Sequence, residues 1–137
     1  MPTTTELSFH LDDEPGTLGK ICRTLADRGV NILAFQTQPL GRKSQIRLLV
    51  DDPTTAESVL DKEKLEYTQE KVAHINLPHR PGELARAASK LGEANININY
   101  AYCGVDAETN EPLLIFGVSD AGRAAKILDE AAAAASA

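Results

Sequence analysis

Apolar and polar residues alternate near the start of the chain and then change to a helical period, which predicts a strand followed by a helix. Leu7, Phe9 and Leu11 alternate with polar residues, as on a half-buried strand. After Pro15-Gly16, the apolar positions between 18 and 25 recur at the spacing of one helix face. The Pro-Gly pair is therefore predicted to form the turn that joins the strand to the helix.

The next segment predicts a hairpin and a second helix. Residues 30–35 are rich in β-branched and aromatic side chains, and alternation resumes over residues 46–50 after a turn near Gly41. Asp52-Pro53 is typical of an N-cap followed by the first helical residue. A further strand is predicted from Leu65 to Lys71, so the order is βαββαβ. This order indicates an α+β, ferredoxin-like fold with an antiparallel sheet and both helices on one face.

The same pattern occurs twice in the chain. When the chain is aligned with itself, Pro81-Gly82 falls on Pro15-Gly16 and Asn97-Ile98 falls on Asn31-Ile32. The apolar periods around these pairs repeat as well, except that the second copy lacks the final strand. The predicted tandem repeats are residues 1–71 and residues 72–137. Because a sheet without its last strand has an open edge, we expect pairing with the other repeat or with a second chain in a homodimer.

Composition and charge exclude several classes of partner. The 137 residues are 42% hydrophobic and carry a net charge of -6, which is typical of a folded globular protein and leaves no basic patch for nucleic acid or an anionic membrane. No apolar stretch approaches the roughly 20 residues of a spanning helix. The first residues lack the basic and apolar parts of a signal peptide, so we expect a cytoplasmic protein.

Cysteines and histidines predict neither a metal site nor a cofactor. Cys22 and Cys103 fall inside predicted elements without metal or redox spacing, and we expect both to fill the core. His10, His74 and His79 are scattered without neighbouring carboxylates or thiolates.

The repeated loop resembles the signature of ACT domains, in which a strand, a short polar loop with Pro-Gly, an amphipathic helix and an Asn-Ile pair follow one another. The residues that carry this resemblance are Asp12, Asp13, Glu14, Pro15, Gly16, Thr17 and Leu18 with Asn31 and Ile32, and His79, Arg80, Pro81, Gly82, Glu83 and Leu84 with Asn97 and Ile98. The chain is similar to stand-alone tandem ACT proteins, and this resemblance implies an amino-acid-binding regulatory protein.

The residues themselves offer groups for a zwitterion at the first loop. Backbone N–H groups at Gly16, Thr17 and Leu18 are predicted to begin the helix unpaired, which suits a carboxylate, and Gly16 lets a ligand approach the backbone closely. Asp12 and Asp13 offer acceptors for an ammonium group.

Two residues set the second loop apart from the first. His79-Arg80 stands where the first copy has Asp13-Glu14, and we expect this pair to attract an acidic group instead of an amine. The two loops are therefore predicted to be inequivalent sites. The alternative is structural: the Pro-Gly pairs form only turns, and Asn31 and Asn97 bond only to backbone.

Three functions stay open, and the first is preferred. It is a non-catalytic regulatory protein that holds a small molecule, predicted to be an amino acid, at the Pro-Gly loops, at repeat or subunit interfaces. The alternative is a regulatory or assembly subunit that docks a larger amino-acid biosynthetic enzyme without binding ligand itself. An enzyme is the weakest hypothesis, because no Ser, Cys or Lys has a base at diagnostic spacing and no phosphate-binding loop is present.

Overall fold

The structure is a computed structural model that describes the backbone of residues 3–136 and the side chains of residues 3–133. Six strands and four helices are present in this part of the chain. In chain order they are β1 (Thr3–Asp12), α1 (Thr17–Asp27), β2 (Ile32–Leu40), β3 (Lys43–Val50), α2 (Pro53–Lys62), β4 (Tyr67–Asn76), α3 (Glu83–Glu93), β5 (Ile98–Val105), β6 (Pro112–Val118) and α4 (Ala121–Ser136). The chain divides into two compact units, which we call the first unit (Thr5–Glu70) and the second unit (from Lys71 onwards, with Thr3 and Thr4).

The first unit is a three-stranded antiparallel sheet with two helices on one face. β3 lies in the middle and pairs with β1 and β2, so that Leu48 stands opposite Leu7 on one side and Phe35 on the other. Leu25 of α1 and Leu60 of α2 are buried in the same core cluster as Leu7 and Leu48. Each such leucine contributes roughly 1.5–3 kcal/mol when it is fully removed from water.

The second unit has the same order of elements, from β4 through α3, β5 and β6 to α4. β6 pairs antiparallel with β4 and with β5, and Phe116 stands opposite Ala73 and Ala101. Leu91 of α3 and Leu128 of α4 are buried in one core cluster with Phe116. The prediction of an α+β, ferredoxin-like fold with antiparallel strands is confirmed.

Two strands that the sequence predicts separately form one continuous strand in the structure. The sequence predicted a strand from Leu65 to Lys71 and another through Ala73, whereas the structure has one continuous strand, β4. The separate strands were therefore a wrong prediction. The physical reason is that no glycine or proline interrupts the extended backbone at this point. No strand follows α4 within the described residues.

A β-bulge decides which face of β5 its aromatic side chains occupy. Ile98 stands opposite Val118, but Tyr100 stands opposite Gly117, because the register shifts between them. Tyr100 therefore leaves the helix-covered face on which Ile98 packs, although simple alternation would place the two residues on one face. Its ring lies directly over Gly117, where a Cβ would come within 2.2 Å of ring carbons.

Helix ends follow the local signals in the sequence. Asp52 caps α2, since its Oδ1 accepts a hydrogen bond from the Thr55 backbone N–H at 3.2 Å and its Oδ2 accepts one from the Thr55 hydroxyl at 2.6 Å. The left-handed residues that follow α1 and α3 are Gly29 and Asn95, with φ of 74° and 60°. The cap predicted at Asp52 is confirmed.

Glu6 is buried on the face of the first unit's sheet opposite the helices. The sequence pattern placed it among the polar, solvent-facing positions of β1, yet it is only 1% exposed. Arg47 Nε lies 3.8 Å from Glu6 Oε1, and Arg47 Nη1 donates to Gln36 Oε1 at 2.9 Å. This ion pair is a feature that alternation alone did not indicate.

Candidate functional site

Each unit places a glycine in the left-handed region immediately before its first helix. Gly16 has φ of 90° and Gly82 has φ of 91°, and neither helix start carries a side-chain cap. An added Cβ at either glycine would meet no atom within 4 Å among the described residues. Both helix starts are therefore open to an approaching group. The prediction that the Thr17 N–H is unpaired was wrong, because it donates to the Glu14 carbonyl at 3.4 Å, and the Glu83 N–H likewise donates to the Arg80 carbonyl at 3.4 Å.

The acidic residues of the first loop are engaged within their own unit. Lys43 Nζ donates to Asp12 Oδ1 at 2.6 Å, and Ser44 Oγ donates to Asp13 Oδ1 at 3.2 Å. The Thr17 hydroxyl donates back to the Asp12 carbonyl at 2.9 Å and so holds the loop closed. An ammonium group at Asp12 would compete with Lys43.

A small cavity of about 200 Å³ lies beside the first loop. Its polar lining residues are His10, Asp12, Thr17, Lys20, Lys43 and Glu63. Glu14 and Gly16 are exposed outside it, and Leu18 is half-buried against the core of the unit. This volume is below the usual range for ligand sites, about 300–1,000 Å³.

A larger cavity of about 610 Å³ lies beside the second loop, and we call it the Gly82 cavity. Five predicted site residues line it: His79, Arg80, Gly82, Glu83 and Leu84. Strands β5 and β6 supply the opposite wall, which includes Val105 and Leu114. Leu84 and Val105 are 55% and 51% exposed, which is unusual for large apolar side chains and indicates a surface that a ligand or partner covers.

Glu83 is held by two arginines at the start of α3. Arg86 Nη2 lies 3.2 Å and 3.1 Å from the two carboxylate oxygens, and Arg80 Nε lies 3.6 Å from one of them. The Glu83 side chain is 12% exposed, whereas that of Arg80 is 56% exposed. The negative charge at this helix start is therefore already paired.

Asp106 organises the β5–β6 loop that borders the Gly82 cavity. Its carboxylate accepts hydrogen bonds from Asn76 Nδ2 at 2.5 Å and from the backbone N–H groups of Glu108 and Thr109 at 2.8 Å and 3.2 Å. These bonds, the one from Asn76 first, lower the pKa of Asp106. They position the loop whose residue Asn110 lines the cavity.

The Asn-Ile pairs lie far from the loops within each unit. Asn31 and Ile32 are at the end of the sheet where β2 begins, and the Asn31 N–H donates to Asp51 Oδ1 at 2.9 Å. Since Lys43 and Val50 mark opposite ends of β3, roughly 23 Å separates the two ends. Asn97 and Ile98 likewise lie where β5 begins, at the end of the sheet away from Gly82. Neither unit brings its Asn-Ile pair to its own Pro-Gly loop.

Cys103 is a cavity residue that the sequence analysis placed in the core. It is exposed and lines the Gly82 cavity from β5, so that prediction was wrong. The register explains its position, since Cys103 stands opposite Leu114 on an exposed part of the helix side of the sheet. Cys22 is half-buried and packs against the core of the first unit.

Metal ligands are not clustered in the part of the chain that the structure describes. No group of three or more His, Cys, Asp or Glu side chains there is arranged to hold a metal ion. None of the described helices combines the length and the apolarity that crossing a bilayer requires.

The first unit is similar to a known family of domains. Residues 5–64 match the family model of the ACT domain. A stretch of 69 residues is 42% identical to D-3-phosphoglycerate dehydrogenase of Methanocaldococcus jannaschii, covering 47% of this chain and 13% of the relative. An ACT domain-containing protein of Arabidopsis thaliana is 24% identical over 95 residues, covering 68% of this chain and 21% of the relative. The chain thus spans only a small part of either relative.

Solved structures share the fold over nearly the full chain. A Bacteroides thetaiotaomicron protein superposes with a TM-score of 0.81 at 24% identity, covering 94% of this chain and 88% of that one. The regulatory subunit of aspartate kinase from Thermus thermophilus superposes with a TM-score of 0.60 at 17% identity, covering 96% and 97%. At these identities the likeness shows the fold alone.

Proposed function

We propose that this protein is a non-catalytic, amino-acid-binding regulatory protein composed of two ACT repeats, residues 1–71 and 72–137. ACT domains are regulatory amino-acid-binding modules, and residues 5–64 match their family model. The observation that carries the proposal is the open start of α3 beside the Gly82 cavity. A cytoplasmic homodimer completes the proposal, on the basis of composition and the predicted open sheet edge.

Thermal denaturation in the presence of each of the twenty amino acids tests ligand binding. A ligand that binds only the folded protein raises the melting temperature as its concentration increases. We expect one amino acid or a small group of related ones to do so. A melting temperature that stays constant for all twenty would contradict the proposal.

Three glycine variants locate the bound ligand. Gly82→Ala and Gly16→Ala add a methyl group at the two loops, and Gly29→Ala adds one after α1, where φ is also left-handed and space is also open. Each variant carries a similar strain of about 1–2 kcal/mol, so Gly29→Ala controls for lost stability. We expect calorimetric titration to show about tenfold weaker binding for Gly82→Ala, equivalent to about 1.4 kcal/mol, and unchanged binding for Gly29→Ala.

The second candidate is a subunit that docks a larger enzyme of amino-acid biosynthesis. Phe35 and Leu40 on β2 favour it, because they are 56% and 50% exposed and large apolar side chains on a surface indicate an interaction site. The regulatory subunit of aspartate kinase from Thermus thermophilus, which shares this fold, is an example of such a subunit. This candidate would be favoured by two results together: no amino acid changes the melting temperature, and an enzyme that co-purifies with the wild type no longer co-purifies with the Phe35→Ser variant.

A further inference from the structure

We propose that the Gly82 cavity binds an aliphatic carboxylate through Arg80 and the start of α3, and that an ammonium group on the ligand adds nothing to its affinity. This inference rests on the proposed function, because it assumes that the cavity beside the second loop is a ligand site. It names the class of ligand that the cavity takes, and it extends that class from amino acids to the corresponding 2-oxo acids.

The apolar part of the ligand follows from the walls. Leu84 on α3 and Val105 on β5 face the cavity with about half of their surface exposed, and Leu77 and Pro112 continue the apolar lining. Covering such side chains is favourable because it removes apolar surface from water. A branched aliphatic chain of the size of a leucine side chain fits within the volume of about 610 Å³.

The charged part follows from the balance of charges on the lining. Arg80 contributes a guanidinium group, while Glu83 is the one acidic residue on the described walls. Arg86, which does not line the cavity, holds both Glu83 oxygens at 3.1 Å and 3.2 Å. The triad of Arg80, Glu83 and Arg86 therefore carries a net positive charge beside the positive end of the α3 dipole. A ligand carboxylate complements this charge.

An ammonium group finds no equivalent charged partner among the described residues that line the cavity. Glu83 is already bound by arginine, and the neighbouring loop residues are Pro78 and His79, where the first loop has Asp12 and Asp13. An ammonium at Glu83 would have to share the carboxylate with Arg86, which already bonds both oxygens. The geometry therefore favours binding of the ligand through its carboxylate and its apolar side chain.

Three compounds of one carbon skeleton separate these contributions. Leucine has both charged groups, 4-methyl-2-oxopentanoate has only the carboxylate, and leucinamide has only the ammonium. Binding is measured by the melting temperature and by the rate at which iodoacetamide alkylates Cys103 in the cavity, with half-buried Cys22 as the internal control. We expect leucine and the oxo acid to slow alkylation of Cys103 with dissociation constants within about threefold of each other, and leucinamide to have no effect.

Two arginine variants test the residue assignment. Arg80→Gln is expected to weaken oxo-acid binding about tenfold, since it removes a charge-assisted hydrogen bond to the carboxylate. Arg23→Gln, at an exposed position on α1, is the matched control and should bind like the wild type. Equal binding by both variants would overturn the assignment.

Other outcomes distinguish this inference from the proposed function. Protection of Cys103 by leucine but not by the oxo acid, or by polar amino acids alone, overturns the inference and leaves amino-acid binding intact. Failure of all twenty amino acids and the oxo acid to raise the melting temperature refutes both. If Cys103 is shielded in ligand-free protein and becomes reactive on dilution, a second copy of the chain covers the cavity and the inference is wrong.

Discussion

Replacing Arg47 by methionine removes the cation that faces a buried carboxylate in the first unit. The Glu6 side chain is 1% exposed, and Arg47, at 14% exposure, lies 3.8 Å from it. Methionine keeps much of the apolar stem of arginine, so the change removes charge and hydrogen bonding more than packing. The bond from Arg47 to Gln36 is lost as well.

Removing one member of a buried ion pair costs about 3–5 kcal/mol, because the remaining charge is left in a poorly solvating environment. The separation of 3.8 Å is long, and Glu6 has further interactions, so we expect the low end, about 3 kcal/mol. Lys43→Met is the matched control. It breaks the pair with Asp12, whose side chains are 56% and 61% exposed, and should cost less than about 0.5 kcal/mol.

Urea denaturation followed by circular dichroism measures the free energy of unfolding of both variants. The double variant Glu6→Gln with Arg47→Met should recover at least half of the loss, because a neutral amide is buried at lower cost than an unpaired carboxylate. The reasoning is refuted if Arg47→Met and Lys43→Met lower the free energy of unfolding equally with unchanged denaturant slopes.

Three further changes have defined outcomes. Burial lowers the pKa of His74 below 6.5, so the unfolded chain binds more protons than the folded chain below about pH 6.5. The free energy of unfolding should therefore fall as the pH decreases. His74→Gln should reduce this fall, measured as the difference between urea titrations at about pH 7.5 and about pH 5.5. Asp52→Ala removes the cap that accepts from Thr55 and should lower the free energy of unfolding by about 1 kcal/mol, with Asp52→Asn retaining most of it. Gly117→Ala places a methyl group within 2.2 Å of the Tyr100 ring and should cost about 2 kcal/mol, which Tyr100→Ala in the same chain should partly reverse.

Most of the fold could be predicted because its signals are local. Period-2 and helical apolar patterns gave the element types, and the caps at Asp52, Gly29 and Asn95 depend only on residues within a few positions. The junction around Lys71 was predicted less well, since nothing local distinguishes one long strand from two short ones.

Predictions about faces failed where they depended on more than one strand. Glu6 is in a polar position by alternation, but whether a polar face is solvated depends on what the fold places against it. The bulge between Ile98 and Tyr100 reverses the facing of the residues that follow it, and alternation read from the sequence assumes that no residue is extra. Cys103 was assigned to the core because it falls inside a predicted element, whereas it is exposed on the helix side of the sheet.

The sequence predicted the loop motif of the site but not the residues that surround the loop in the structure. Asp12 and Gly16 lie beside the start of α1. Asn31 belongs to the same sequence motif, but it lies at the other end of the sheet. The Gly82 cavity depends on Val105, which belongs to a strand that no loop motif includes.

Matching loops need not form matching sites, because a loop supplies only part of a wall. Leu18 and Leu84 occupy corresponding positions after their glycines, yet Leu18 packs against its core while Leu84 is 55% exposed beside a cavity. The loop residues then add opposite charges, Asp13 in one case and Arg80 in the other. If binding depended on the Pro-Gly turn alone, Gly16→Ala and Gly82→Ala would weaken it equally. If it depends on the surrounding wall, only Gly82→Ala will do so.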